Sequence, residues 1–164
     1  MQLKVRNKLF NPRGSSTVKT MDDEPYLKVE GRFFSFRKRK YIKDLGGKTI
    51  YQVRNRFWNF FLHSAYIFDD KGEKICQVTR KLSLKSKFEI VGTSSDYKID
   101  GDVIGWNYSI VKDGKVIATI RRKFDITDSF ILDSKDEETS FAIALIIAID
   151  NIMDNERDSS ISID

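Results

Sequence analysis

The chain has 164 residues, 40% of them apolar and 12% aromatic, which suits one domain with a substantial core and excludes global disorder. A single cysteine rules out an intramolecular disulfide framework, and one cysteine with one histidine rules out a Cys/His zinc site. The net charge of +5 hides an uneven distribution: residues 1–124 carry 27 Lys/Arg against 13 Asp/Glu, and residues 125–164 carry 2 against 11.

From the N-terminus, Met1 to Phe10 interleaves three cations with apolar residues and lacks the apolar core of a secretory signal. A seven-residue pattern then recurs. Leu3-Lys-Val-Arg-Asn-Lys-Leu9 and Tyr51-Gln-Val-Arg-Asn-Arg-Phe57 match position by position, and further copies start at 27, 76, 97 and 118. In each copy the first, third and seventh positions are apolar and the even ones mostly polar, the period of a strand with one wet face. The fifth position breaks the alternation with Asn7, Gly31, Asn55, Arg80, Gly101 and Arg122, which predicts a bulge or bend there. Asp44-Leu-Gly46-Gly47, Asp69-Asp-Lys-Gly72 and Asp113-Gly114 precede three copies with hairpin chemistry, arguing against a helical reading of the same spacing. Short β-branched or aromatic runs at 16–20, 41–42, 65–68, 88–91, 108–111 and 127–132 supply partner strands. About twelve strands in an antiparallel meander are expected.

After Asp133 the pattern changes. Ser134 or Asp136 can cap a helix whose first turn holds Asp136, Glu137 and Glu138, favourable at the positive end of the helix dipole. Residues 141–149 are all apolar and cover every helical face, so the helix must be buried all round. Nine residues fall short of the ~20 that span a bilayer. A barrel of about twelve strands is wider than one that fills its own lumen, and a helix is a suitable filling. The expected fold is therefore mainly β: a closed antiparallel barrel around one hydrophobic C-terminal helix at about 137–153, a single domain over 1–153 with a polar tail at 154–164. Phe141, Leu145, Ile146 and Ile149 would fill the lumen. Asp150, on the same helix, would meet an Arg or a backbone N–H near one barrel end.

These pieces resemble the LURP-one-related family, within the tubby C-terminal-like superfamily that also includes phospholipid scramblases. The resemblance covers about residues 3–153. It rests on Lys8-Leu9-Phe10, Val29-Glu30-Gly31-Arg32-Phe33-Phe34, Lys98-Ile99-Asp100-Gly101, Arg122-Lys123-Phe124, Thr127-Asp128-Ser129-Phe130 and the run ending Ala148-Ile149-Asp150. It implies a twelve-stranded barrel around a hydrophobic helix. Tubby domains bind phosphoinositides through basic surface residues, but no local motif here matches that site. Scramblases are associated with calcium and carry an acidic stretch before their last helix. Asp125, Asp128, Asp133, Asp136 and Glu137 occupy a similar place, while the cysteine-rich segment of scramblases is absent.

The basic run Arg37, Lys38, Arg39 and Lys40, with Arg32 and Lys43, is the candidate anion site, suited to lipid headgroups or nucleic acid. Outward alternation alone also produces a basic exterior, through cations such as Arg54, Arg56, Lys81, Lys85, Lys87, Arg121 and Lys123, so a solvated wall is the plainer reading. Trp58 and Phe60 beside Arg54 and Arg56 could stack bases, although Phe57 to Phe61 reads more simply as core or a barrel-end plug. Asp125, Asp128 and Asp133 are the calcium candidates, but they lack EF-hand spacing, and no metal site is expected. His63 and Cys76 belong to no catalytic motif, and no cofactor is expected. The leading reading is a non-catalytic, cytoplasmic domain, peripheral at the membrane, binding an anionic phospholipid surface. The alternative is a structural or protein-interaction module, and nucleic-acid binding ranks third.

Overall fold

In the computed structural model the described residues are 1–6, 15–31, 38–56, 63–81, 87–123 and 129–161, with the helix side chains described as far as Asp154. Twelve strands follow one another: β1 (Gln2–Arg6), β2 (Ser15–Thr20), β3 (Pro25–Gly31), β4 (Lys40–Lys43), β5 (Thr49–Asn55) and β6 (Ser64–Phe68) form the first half. The second half is β7 (Lys74–Lys81), β8 (Lys87–Val91), β9 (Tyr97–Asp102), β10 (Asn107–Lys112), β11 (Lys115–Lys123) and β12 (Ser129–Ser134). Every strand pairs with its chain neighbours, and β1 closes the sheet onto β12, with Leu3 opposite Leu132 and Val5 opposite Phe130. A closed antiparallel barrel results, which leaves no sheet edge exposed.

The six repeat copies form the six odd strands, and the partner runs form the even ones. Alternation works as the sequence requires: Leu3 and Val5, Leu27 and Val29, Cys76 and Val78, and Ala118 and Ile120 point inward and are buried. The fifth repeat position behaves differently from expectation. Gly31, Asn55, Arg80, Gly101 and Arg122 pair in unbroken register with Lys40, Ala65, Phe88, Tyr108 and Phe130. The register shifts fall instead at Val18/Lys19, Ile42/Lys43, Ile67/Phe68 and Ile110/Val111, beside the tight turns. At Asn55 the fifth position supplies a buried polar group, and at Gly101 it supplies room. Gly101 has φ +119°, and a Cβ there would lie 2.7 Å from the Asn107 carbonyl oxygen, so only glycine lets β9 and β10 approach this closely.

A 3-10 turn (Asp136–Glu138) leads into α1 (Thr139–Ile161). Neither expected cap serves: Lys135 precedes the turn and no side chain caps it. Thr139 instead donates to the Lys135 carbonyl and shares a hydrogen bond with Ser134. Residues 141–153 are buried without interruption, as an all-apolar helix requires. The helix packs most closely on β5, β6 and β7. Tyr108 and Phe130, from the far wall, are large inward aromatics of the same core, with Trp106 stacked on Phe130 at 4.8 Å. The helix continues to Ile161, past the end of the apolar run. Among the described residues no helix is long and apolar enough to cross a membrane.

Candidate functional site

The meander sorts the connections between the two barrel ends. Odd-to-even connections gather at one end, where α1 emerges, and even-to-odd turns gather at the other, where α1 enters. Charge follows the same division. At the exit end, the described residues 6, 31, 38–40, 54–56, 63, 80–81, 87, 101–107, 121–123 and 129 carry 12 Lys/Arg and 1 Asp/Glu. At the entry end, segments 20–25, 43–49, 68–74, 91–97, 112–115 and 133–139 carry 7 and 13. The barrel is therefore polarised along its axis. The helix dipole opposes that polarity, its positive end lying at the acidic rim and its negative end at the basic rim.

At the basic rim the last buried turn of α1 grips the run 38–40. The Asn151 side-chain amide donates to the Lys38 carbonyl at 2.9 Å, and the Asn55 amide donates to the Asn151 carbonyl at 3.2 Å. Asn55 is the fifth residue of its repeat, so the polar break in the alternation is the contact that seats the helix. Lys38 has φ +42°, unusual for a side chain of its size. That conformation accompanies the inward turn of the next strand: Lys40 is 2% exposed, with Nζ 3.6 Å from the Asp150 carboxylate, itself buried. Burial pushes the Lys40 amine below its usual range, and the Asp150 charge opposes that shift. Tyr108 Oη lies in the same region, its ionisation pushed up by complete burial and, secondarily, by Asp150. Tyr108 Oη, Asn55 Oδ1 and Asn151 Oδ1 are buried without a hydrogen-bond partner among the described residues.

The candidate residues thus separate. Arg32, Arg37, Asp125 and Asp128 lie outside the described residues, as do Trp58 and Phe60. Lys38 and Arg39 are half-buried at the basic rim. Lys40 is removed from the exterior set, because it points into the lumen and is ion-paired to Asp150; the expected Arg partner of Asp150 is this lysine. Lys43 lies on the wall, paired with Glu30. Asp133 is exposed and accepts a hydrogen bond from Gln2 at 2.8 Å. Phe141, Leu145, Ile146 and Ile149 are all buried in the lumen. Among the described residues no group of three or more His, Cys, Asp and Glu is arranged to hold a metal ion.

The acidic rim has a feature that no sequence motif marked. A cavity of about 390 Å³ opens beside the first turn of α1. Tyr51, Tyr97 and Phe141 line it with the 92–95 turn, Lys112, Glu137 and Glu138. Phe141 packs between the two tyrosines, 5.8 Å from Tyr51 and 5.3 Å from Tyr97 by ring centroids. Lys112 pairs with Glu138, and its Nζ lies 5.6 Å from the Tyr97 centroid. A signal was available: Tyr51 and Tyr97 are the two copies whose first repeat position is aromatic rather than small or aliphatic. Elsewhere, burial pushes the Cys76 thiol up to about 12, and burial with the nearby Arg80 charge lowers His63.

Among solved structures, an X-ray structure of a protein from Arabidopsis thaliana superposes with a TM-score of 0.66, covering 92% of this chain and 90% of that one at 13% identity. At that identity the likeness concerns the fold. Among curated sequences, the uncharacterized protein YxjI of Bacillus subtilis (strain 168) is 27% identical over 164 residues, 98% of this chain and 99% of the relative. Residues 1–150 match the LURP-one-related family model, a span that takes in all twelve strands and the buried helix as far as the carboxylate that pairs with Lys40. The match thus covers the closed barrel and the buried part of its helix, and the chain belongs to the LURP-one-related family.

Proposed function

We propose that this LURP-one-related barrel is a non-catalytic domain that binds an anionic membrane surface through its basic end. The observation that carries the reading is the axial separation of charge. Cations away from that end do not favour it: Lys4 pairs with Asp23, Lys43 with Glu30, Lys48 with Asp70 and Lys98 with Asp96. Among the described residues of the basic rim Asp102 is the one carboxylate, and Arg56, Lys87 and Arg121 are exposed there. Ile104, in the one short turn at this rim, is 60% exposed. Cations beside an exposed apolar residue suit the boundary between headgroups and acyl chains. The non-catalytic half of the reading draws support from Cys76, whose buried thiol stays protonated at neutral pH.

The test is flotation of the protein with phosphatidylcholine vesicles, with and without phosphatidylserine, across salt concentration. Binding is expected only with phosphatidylserine, strongest at low salt. Each cation near such a surface contributes about 1 kcal/mol, so reversing Lys38, Arg39, Arg121 and Arg122 to Glu lowers affinity about a hundredfold or more. Lys40 is left intact because it supports the core. Absence of binding at low ionic strength overturns the reading. A protein partner indifferent to the reversal supports the interaction-module alternative, and a steep salt slope with DNA or RNA instead of vesicles supports nucleic acid.

A further inference from the structure

The cavity at the acidic rim has a chemistry of its own. Its aromatic wall is Tyr51, Tyr97 and Phe141, and two carboxylates, Glu137 and Glu138, stand at its edge. Its one cation, Lys112, is already matched to Glu138, so the lining leaves an excess of negative charge. The charges beyond the lining have the same sign: after burial and Tyr97, the carboxylates of Glu138, Asp69 and Asp70 hold the Tyr51 hydroxyl above its ordinary range. The positive end of α1 does not reverse this, because Asp136, Glu137 and Glu138 already occupy its approach. Lys112 also shows what the site accommodates, since the chain places its own ammonium 5.6 Å from the Tyr97 ring centroid, hydrogen-bonded to the Tyr97 hydroxyl and beside a carboxylate.

We propose that this cavity binds a small organic ammonium, an alkylamine or quaternary ammonium of about choline's size, with its cation against the tyrosine rings and beside Glu137 and Glu138. The volume of about 390 Å³ falls at the lower end of the range for small-molecule sites. Aromatic faces attract a weakly hydrated cation that an open carboxylate cluster would hold poorly. In this arrangement Lys112 is an internal competitor for Glu138 rather than a ligand-binding group.

The test is titration of the full chain with choline at low ionic strength, followed by amide NMR, with sodium chloride and inorganic phosphate as controls. Choline is expected to saturate and to shift the 92–97 and Phe141 resonances, with phosphate giving no such shifts. Lys112→Gln removes the competing ammonium and is expected to tighten choline binding about tenfold, while Glu137→Gln weakens it severalfold. The sign of the lysine effect decides between ligand classes, because an anion site would lose affinity. Saturation by phosphate, no saturation by choline, or weaker choline binding in Lys112→Gln overturns the proposal. If Lys112→Gln does not fold, Glu137→Gln at an exposed position carries the test: unchanged choline affinity there overturns it.

Discussion

The two ends of the barrel differ in charge for different reasons. At the acidic end the carboxylates build the turns. Asp44 Oδ1 accepts from the Lys48 amide at 2.9 Å, Asp69 Oδ1 from the Lys71 and Glu73 amides at 2.9 and 2.8 Å, and Asp113 Oδ1 from the Asp96 amide at 2.8 Å. Such turns select Asp because its short side chain mimics a backbone acceptor, so much of that end's acidity follows from closing hairpins tightly. Apart from Lys40, which the core uses, no comparable set of turns accounts for the described cations at the other end. One end carries carboxylates that its turns use as hydrogen-bond acceptors; the described residues of the other carry cations that serve no such turn.

Both ends depend on the helix that joins them, and the largest expected effect lies there. Ile146 is 2% exposed in the middle of the buried run. Ile146→Asp replaces a buried apolar side chain by an unpartnered carboxyl group in the lumen, a loss comparable with the about 5–15 kcal/mol that holds a domain of this kind. The expected result is an insoluble or molten product with no cooperative thermal transition. A soluble variant that melts cooperatively would show that α1 is not enclosed, and the axial comparison would lose its spine.

Next comes the buried pair that fixes the helix at the basic rim. Lys40→Met leaves Asp150 buried without its cation and is expected to cost about 3–5 kcal/mol in urea denaturation, as is Asp150→Leu for the opposite reason. The double variant is expected to recover most of the loss, since an apolar pair replaces an ion pair at little net cost. Equal and additive losses would mean that the two residues act separately. Recovery of stability would also allow vesicle binding to be measured without the pair, which distinguishes its packing role from any part in recognition.

Much of this was legible in the sequence, for a physical reason. Period-two alternation, repeated six times with hairpin chemistry between copies, leaves little choice but a meander, and an all-apolar helix has to be enclosed. Asp150 was readable as a buried charge in need of a partner. Its identity as Lys40 was not, because in sequence Lys40 is the last of four consecutive cations and only the pleat tells which of them faces inward. The end-to-end sorting of charge was hidden for a related reason. A linear split gives a basic body and an acidic tail, whereas alternate connections of a meander lie at opposite ends in space. The cavity was missed because it depends on where α1 enters, which no local pattern encodes.

A smaller effect, of opposite sign, is expected at Tyr108. Its buried hydroxyl lacks a partner among the described residues, so Tyr108→Phe is expected to stabilise the protein by about 1 kcal/mol at neutral pH. The pH dependence follows from its raised ionisation. The folded state holds the phenolic proton that the unfolded chain releases near pH 10, so the unfolded state binds fewer protons and stability falls as pH rises above about 10. Tyr108→Phe removes that share of the alkaline loss. Melting temperatures of both proteins between pH 8 and 11, values chosen to bracket about 10, are expected to diverge as the pH rises. Parallel curves would mean that Tyr108 is hydrogen-bonded or hydrated after all.

The smallest effect bears most directly on the contrast between the ends. If acidity at the turn end is a by-product of hairpin closure, its hydrogen bonds matter and its charge does not. Asp69→Asn keeps a side-chain oxygen for the Lys71 and Glu73 amides and removes only the charge, so it is expected to change stability by less than about 0.5 kcal/mol. Asp69→Ala removes the acceptor as well and is expected to cost about 1 kcal/mol in the same denaturation experiment. A salt titration separates the two contributions, because a charge effect at this exposed turn fades with ionic strength while the lost hydrogen bonds persist. Equal losses in both variants, erased by salt, would make the acidic rim an electrostatic feature like the basic one, and the asymmetry of cause between the two ends would fail.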